Sequence, residues 1–323
     1  MTNPLAAAPP CPALGGRPGG EPVDGLDSAL VVGTGLIGTS VALALREQGV
    51  EVWLADRDPQ AVRLARDLGA GRPWIPPGEG GPTADIAVVA VPPDAVGCVL
   101  RSLQDLGAAR VYTDVASVKR GPLARATRLR CDLAGYVPGH PMAGRERSGP
   151  AAASPDLFLG RPWAYCPLEE NAPAAVATLL QLIGMCGGRP VMTGVTEHDE
   201  NVAVVSHVPH LAASAVAARL LDAPAAALDL AGPGLRDVTR VAAGDPGLWA
   251  GILQDNAPPV ARLLEDVAAD LAAAAAALRG LGEPGEDLGP VTDLLCRGAA
   301  GTDCIPSPKE PLRHGGRVTD LVS

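Results

Sequence analysis

From residue 28 to about 194, short runs of β-branched and other apolar residues alternate with stretches of helical periodicity. The runs are ALVVG (29–33), EVWLAD (51–56), IAVVAV (86–91), RVYTDV (110–115) and WAYC (163–166). Such alternation predicts parallel strands joined by crossover helices, a doubly wound α/β sheet of the Rossmann type. From residue 195 to about 281 the strand pattern disappears. Long Ala/Leu/Val stretches such as VARLLEDVAADLAAAAAAL (260–278) take over, and their apolar stripes need burial. The expected organisation is therefore an α/β domain over 28–194 and an all-helical domain over 195–281. Residues 1–27 and 282–323 are punctuated by Pro and Gly and read as a disordered leader and a loose tail. The helical half opens on Thr196-Glu197-His198-Asp199, where Thr196 as N-cap and Asp199 three residues on predict a capping-box start. This helix is expected to reach about Leu221, with Pro209 kinking it.

The first of these strand-to-helix junctions carries chemistry. Gly33-Thr34-Gly35-Leu36-Ile37-Gly38 follows ALVV directly and opens a helix that Gly49 can end. Gly33 permits a tight turn, Gly35 lets a pyrophosphate approach the backbone, and Gly38 allows close helix–strand packing. The helix N-terminus then offers free amides and the positive end of its dipole to the phosphates. A second strand ends in Asp56, 18 residues after Gly38, placed to accept hydrogen bonds from the adenosine ribose. Asp56 repels the 2′-phosphate of NADP, whereas the neighbouring Arg57 can accommodate it; NAD is the expected cofactor. Val91 and Pro92, at the end of the next strand, are expected beneath the adenosine.

Composition narrows the classes. The 323 residues are 47% apolar and 19% charged, enough for a sizeable core. Aromatic residues make up 2% and the net charge is −10, which argues against base stacking and phosphate-backbone binding. The seven cysteines form no C-x-x-C pair, so reduced thiols are expected and neither a disulfide scaffold nor a zinc site is. No basic segment precedes an apolar one at the N-terminus, and no run reaches the ~18 apolar residues of a membrane span. A cytoplasmic protein is the expectation.

Three later motifs suggest a reaction. They are Asp114-Val115-Ala116-Ser117-Val118-Lys119, Gly139-His140-Pro141-Met142-Ala143-Gly144, and Ser206-His207-Val208-Pro209-His210. With the glycine-rich turn and Asp237-Val238-Thr239-Arg240, they resemble the prephenate/arogenate dehydrogenase family in order and spacing from about Ala29 to Leu278. The resemblance implies an NAD-dependent oxidative decarboxylation. Hydride leaves C4 of prephenate, the C4 hydroxyl gives up its proton, and carbon dioxide departs as the ring aromatises to 4-hydroxyphenylpyruvate. It implies that His140 contacts the hydroxyl, that Ser117 hydrogen-bonds and orients His140, and that Arg240 grips a substrate carboxylate. It places His207 and His210 at the border of the substrate pocket, where a metal pair is the competing reading but lacks a third ligand. Glu146 and Asp237 match acidic residues that gate the pocket in some relatives.

Arg145 departs from the small hydroxyl residue common at its position, which leaves the choice among prephenate, arogenate and 4-amino-4-deoxyprephenate open. Lys119 receives no role. The resemblance also implies a homodimer through the helical domains, and the stretch beyond residue 281 is short for the regulatory domain that ends some relatives. Two other classes compete: a silent NAD-binding sensor, against which Ser117, His140 and Arg240 together speak, and other hydroxyacid dehydrogenases. The latter usually depend on a lysine in the helical domain, and no lysine occurs between Lys119 and Lys309.

Overall fold

The computed structural model describes residues 25–144, 147–281 and 287–306. Of the expected leader, only residues 25–27 fall within them. Five parallel strands, β1 (Ser28–Val32), β2 (Glu51–Ala55), β3 (Arg72–Pro73), β4 (Ala84–Val89) and β5 (Ala109–Asp114), lie in the order β3-β2-β1-β4-β5. The order in which strands are added reverses between β1 and β4, which pair in parallel through Ala29–Ile86 to Val32–Val89. Such a switch point opens a crevice at the carboxyl ends of the two strands.

Helices α1 (Leu36–Glu47), α2 (Pro59–Asp67), α3 (Val96–Asp105) and α4 (Arg120–Arg128) connect the strands and follow the last of them. Side chains of a strand alternate between the two faces of a sheet, and here both faces are covered. Ala29, Val31, Ile86 and Val88 enter one apolar core with Val41, Leu45 and, from α5 (Pro173–Met185), Leu179 and Leu182. Leu30, Ala87 and Val89 enter the other with Leu100 of α3 and Ala126 of α4. Burial on both sides is why these strands are apolar throughout and legible in the sequence.

WAYC does not extend this sheet, as its apolar run suggested. It lies in β7 (Pro162–Tyr165), the middle of a second, three-stranded sheet. β7 pairs antiparallel with β6 (Gly139–Pro141) and parallel with β8 (Arg189–Met192). The sheet sets His140 opposite Ala164, beside the end of β5.

The helical half begins at α6 (Val195–Val202). Its N-cap is Gly194 and not Thr196, and the acid that reaches back is Glu197, which accepts from Gly194 N at 3.3 Å and from Thr193 Oγ1 at 3.0 Å. Asp199 is buried and used elsewhere. α6 passes through a π turn, Ala203–His207, into α7 (Val208–Ala218), and the Val208 amide reaches back to the Ala203 carbonyl. Pro209, which lacks an amide hydrogen, sits just after this widened turn, so the helical run continues to Asp222. By length and mean hydropathy (1.3) that run is apolar enough to cross a membrane, contrary to the sequence reading. It buries His207 and His210 and packs on α11, although most of its residues are not buried in the single chain.

α8 (Ala225–Leu228), α9 (Pro233–Thr239), α10 (Pro246–Asp255) and α11 (Ala257–Gly280) follow. A further helix, α12 (Gly289–Asp303), corrects the expectation of a loose tail over its length. It lies against α11, and Arg297 joins the two by pairing with Asp270 at 2.7 Å.

Candidate active site

The turn between β1 and α1 is shaped by what a side chain would strike. A Cβ on Gly33, whose φ is +101°, would lie 2.1 Å from the Ala90 carbonyl oxygen; one on Gly38 would lie 1.9 Å from that of Gly33. A Cβ on Gly35 would meet no atom beyond its chain neighbours within 4 Å, so the missing side chain leaves open space above the helix terminus. The first intrahelical acceptor is the Gly35 carbonyl, used by Thr39 N at 3.0 Å. The amides of Leu36, Ile37 and Gly38 therefore have no partner within the helix, and all three residues line the crevice. This open, amide-lined cradle fits a dinucleotide pyrophosphate.

Asp56 holds the cradle in shape. Its Oδ2 accepts from Thr34 N at 2.6 Å and Thr34 Oγ1 at 3.0 Å, and its Oδ1 accepts from Asp58 N at 2.9 Å. The carboxylate thus stands beside the glycine turn at the end of β2, while Arg57 is exposed. Val91 and Pro92 line the opposite wall, after β4.

The crevice continues as a cleft of about 830 Å³ reaching Ser117, His140, Pro141 and, from the helical half, Ser206 and Trp249. His140 is buried, and its Nδ1 lies 2.9 Å from Nε2 of His198. The hydrogen-bond partner of His140 is thus His198 and not Ser117, to which no hydrogen bond connects it. His198 in turn places Nδ1 2.8 Å from Oδ1 of Asp199. Burial, with the nearby His198, Lys119 and His207, holds His140 well below the ordinary histidine range.

Lys119, unassigned from the sequence, is a fully buried cation. Its Nζ pairs with Asp114 and donates to the Gly139 carbonyl at 2.5 Å. Asp114 also accepts from Tyr136 OH at 2.7 Å and from Ala116 N at 2.8 Å. The motif after β5 thereby fixes the backbone one residue before His140.

Neither His207 nor His210 lines the cleft directly; both meet it through Trp249. His210 stacks on the indole with centroids 3.6 Å apart, and His207 meets it edge-on at 6.0 Å. His207 is 0% exposed, and burial lowers it to about 4. Asn256 ties it down: Nδ2 donates to the Asp199 carbonyl at 2.7 Å and lies 3.1 Å from His207 Nδ1.

Arg240 opens the 3-10 turn Arg240–Ala243 and is exposed, as is Asp237 of α9. Neither lines the cleft in this chain, although Ala243 and Gly244 do. Among the described residues, the charged side chains at the cleft are Arg147 and Asp245. Sequence reading singled out neither, since each sits in a loop with no periodicity to place it. Arg145 and Glu146 lie outside the described residues.

Comparison with known proteins matches both halves of the chain to one family. Residues 41–192 match the family described as "Prephenate dehydrogenase, nucleotide-binding domain", and residues 195–288 match "Prephenate dehydrogenase, dimerization domain". The chain is 42% identical over 284 residues to the "probable prephenate dehydrogenase NovF" of Streptomyces niveus, covering 86% of this chain and 77% of that one. It is 30% identical to the cyclohexadienyl dehydrogenase of Zymomonas mobilis, covering 75% and 85%. Among solved structures, arogenate dehydrogenase of Synechocystis superposes with a TM-score of 0.66 at 26% identity, covering 85% of this chain and 99% of that one. Prephenate dehydrogenase of Aquifex aeolicus, solved with hydroxyphenyl propionate and NAD+, shares the fold, with a TM-score of 0.74 at 23% identity and coverage of 87% and 100%. With both halves matched and a relative of this similarity, the chain belongs to the prephenate dehydrogenase family.

Proposed function

We propose that the protein catalyses the NAD-dependent oxidative decarboxylation of prephenate to 4-hydroxyphenylpyruvate. The observation that carries this reading is a neutral, buried histidine, His140, facing the same cleft as an amide-lined dinucleotide cradle. Gly33, Gly35, Leu36, Ile37 and Gly38 would hold the pyrophosphate, Asp56 the adenosine ribose, and Val91 and Pro92 the adenosine face. NAD, when bound, supplies the acceptor for the hydride that leaves C4 of the ring.

The residues handle the proton and the charges. With Nδ1 engaged by His198, Nε2 of His140 is the ring nitrogen left to take the C4 hydroxyl proton as the carbonyl forms. Its lowered affinity for protons keeps it unprotonated at neutral pH, ready to accept. Ser117 lines the cleft beside it and can donate to the same substrate oxygen. The bond from the ring to its carboxylate then breaks, its electron pair enters the ring, and carbon dioxide leaves. Aromatisation makes the sequence effectively irreversible. Arg147 offers a guanidinium for a substrate carboxylate, and Arg240 would join it where a second subunit completes the cleft.

A homodimer is part of the proposal. The helical half leaves Leu221 87% and Leu230 86% exposed, with Leu271, Leu278 and Leu295 also outward, apolar positions that a second subunit would cover. The matched family description names dimerization. The same apolar surface is satisfied by a partner subunit, consistent with a cytoplasmic enzyme.

One observation favours arogenate as a second substrate: Asp245 at the cleft suits a side-chain ammonium, which prephenate lacks. Steady-state NAD reduction with prephenate and arogenate in parallel tests both readings. A kcat/KM at least tenfold higher for prephenate is expected. The reverse ratio would transfer the function to arogenate, and turnover of neither would overturn the proposal.

A further inference from the structure

His198 and Asp199 stand outside the cleft, and the mechanism above uses neither as a proton acceptor. Both belong to α6 of the helical half, whereas His140 belongs to β6 of the first domain. We propose that they are positioning residues that fix the tautomer and ring orientation of His140, so that its Nε2 is the bare nitrogen presented to substrate. The inference rests on the reading of His140 as the proton acceptor.

The donors around Asp199 decide the direction of every hydrogen in the chain. Asp199 is 0% exposed. Its Oδ1 accepts from Lys119 N at 2.8 Å, and its Oδ2 accepts from Arg120 N at 2.9 Å and Arg120 Nε at 3.2 Å. Lys119 and Arg120 are the N-cap and first residue of α4, so the carboxylate also sits at the positive end of that helix dipole. Burial alone would raise its pKa, but the bonds from His198 and from these amides prevail and lower it. An ionised carboxylate only accepts, so His198 must donate from Nδ1.

His198 is itself held below the ordinary histidine value, chiefly by burial. A neutral imidazole that donates from Nδ1 has a bare Nε2. That atom faces Nδ1 of His140 at 2.9 Å, so His140 is the donor in this bond. Its own Nε2 is then the lone-pair nitrogen. The opposite polarity would need a proton on Asp199, against three other N–H groups aimed at it, or an imidazolium at His198 near the buried Lys119. Each alternative places charge or protons where the surroundings oppose them.

The arrangement also links the two halves of the chain. The His198–Asp199 pair reaches His140 only while α6 is docked on the N-terminus of α4, a contact reinforced by Arg120, which donates to Asn256 Oδ1 at 2.9 Å. A histidine with its tautomer fixed this way is the general device by which the bond at one ring nitrogen sets the state of the other.

Two measurements on the full-length protein test this. The chain has five histidines, so ¹⁵N imidazole spectra at pH 7.5, assigned by single substitutions, read the tautomers without any substrate. His140 is expected to carry its hydrogen on Nδ1; a hydrogen on Nε2 would overturn the inference. The second measurement compares His198→Leu with His198→Gln. Leucine removes the acceptor, and His140 then equilibrates between tautomers and orientations. The expected fall in kcat is about 10- to 100-fold, less than the ~10⁴-fold loss of an enzyme locked in the wrong tautomer. Glutamine restores an acceptor oxygen, and kcat is expected to recover at least fivefold relative to leucine, with NADH affinity within twofold in both.

Equal impairment by the two variants, or a leucine variant with normal kcat, would overturn the inference. Should the leucine variant fail to fold, the wild-type spectrum still decides. If the spectrum is as expected while His140→Asn retains activity, the positioning geometry stands and the assignment of His140 as proton acceptor fails.

Discussion

Adding one methyl group at Gly35 or at Gly38 should have opposite consequences, although the two glycines stand three residues apart on one turn. At Gly38 the new carbon would fall 1.9 Å from the Gly33 carbonyl oxygen and 3.0 Å from Ala90 Cβ. Non-bonded atoms settle at about 3.5 Å, so α1 must retreat from β1 and β4 by more than an ångström. Overpacking of this kind costs about 1–3 kcal/mol, and more where backbone has to yield.

At Gly35 the carbon meets nothing within 4 Å, and the backbone at φ −74°, ψ −164° suits alanine. Losing glycine at the N-cap costs about 0.5–1 kcal/mol, and the stiffer unfolded chain returns about as much. Folding stability should therefore hardly change. The methyl instead occupies the space a pyrophosphate needs, and loss of one charge-assisted hydrogen bond costs about 1.5–3 kcal/mol. That raises the Kd for NADH by about 10- to 100-fold.

Thermal denaturation of the cofactor-free protein, followed by NADH titration through tryptophan quenching, separates the two. Gly38→Ala should lower Tm by about 3–10 °C, and Gly35→Ala should leave Tm nearly unchanged while losing affinity. An unchanged Kd for Gly35→Ala, or a wild-type Tm for Gly38→Ala, would refute the account of the cradle.

Three further outcomes follow from the same geometry. His140→Asn, which cannot take a proton, should lower kcat by ~10²–10⁴ while NADH affinity persists; a near-normal kcat would remove His140 from the mechanism. NAD should be preferred over NADP at least tenfold, roughly 1.4 kcal/mol, because the Asp56 carboxylate beside the glycine turn would repel a 2′-phosphate on the proposed ribose; equal kinetics would show that Arg57 prevails. Stability should fall as pH drops below about 6.5, because the unfolded chain protonates its histidines there while burial keeps His140, His198 and His207 from doing so. His207, lowered to about 4, alone contributes about 3 kcal/mol that is present above pH 6.5 and gone near pH 4. Urea midpoints that stay flat from pH 7.5 to 5 would contradict this.

The sequence revealed most where one physical demand left a long trace. Strands buried on both faces gave unbroken apolar runs, and the glycine turn announced itself because Gly33 and Gly38 exclude a side chain while Gly35 leaves space above the helix terminus. The second sheet escaped because GHP, PWAY and RPVM are too short for periodicity, and each carries a proline. α12 escaped because Gly289, Pro290, Gly298 and Gly301 read as loop, although α11 and the Arg297–Asp270 pair hold it as helix.

In the site, His140 and the motif around Lys119 were visible, and the partner of His140 was not. His198 and Asp199 looked like the polar first turn of a helix. A signal was present: with Val202 they form the buried stripe of α6, and polar residues on a buried stripe mark an internal network. Trp249 and Asn256 gave no such signal, because only the packing of α10 and α11 against the π turn brings them to His207.

The stoichiometry of a single incubation tests the proposed reaction most directly. Prephenate labelled in its ring carboxylate, with excess NAD and the intact protein, should give NADH, labelled carbon dioxide and 4-hydroxyphenylpyruvate in equal amounts. The rate should fall by ~10²–10⁴ in His140→Asn. NADH formed without labelled carbon dioxide, or no NADH at saturating prephenate, would contradict it.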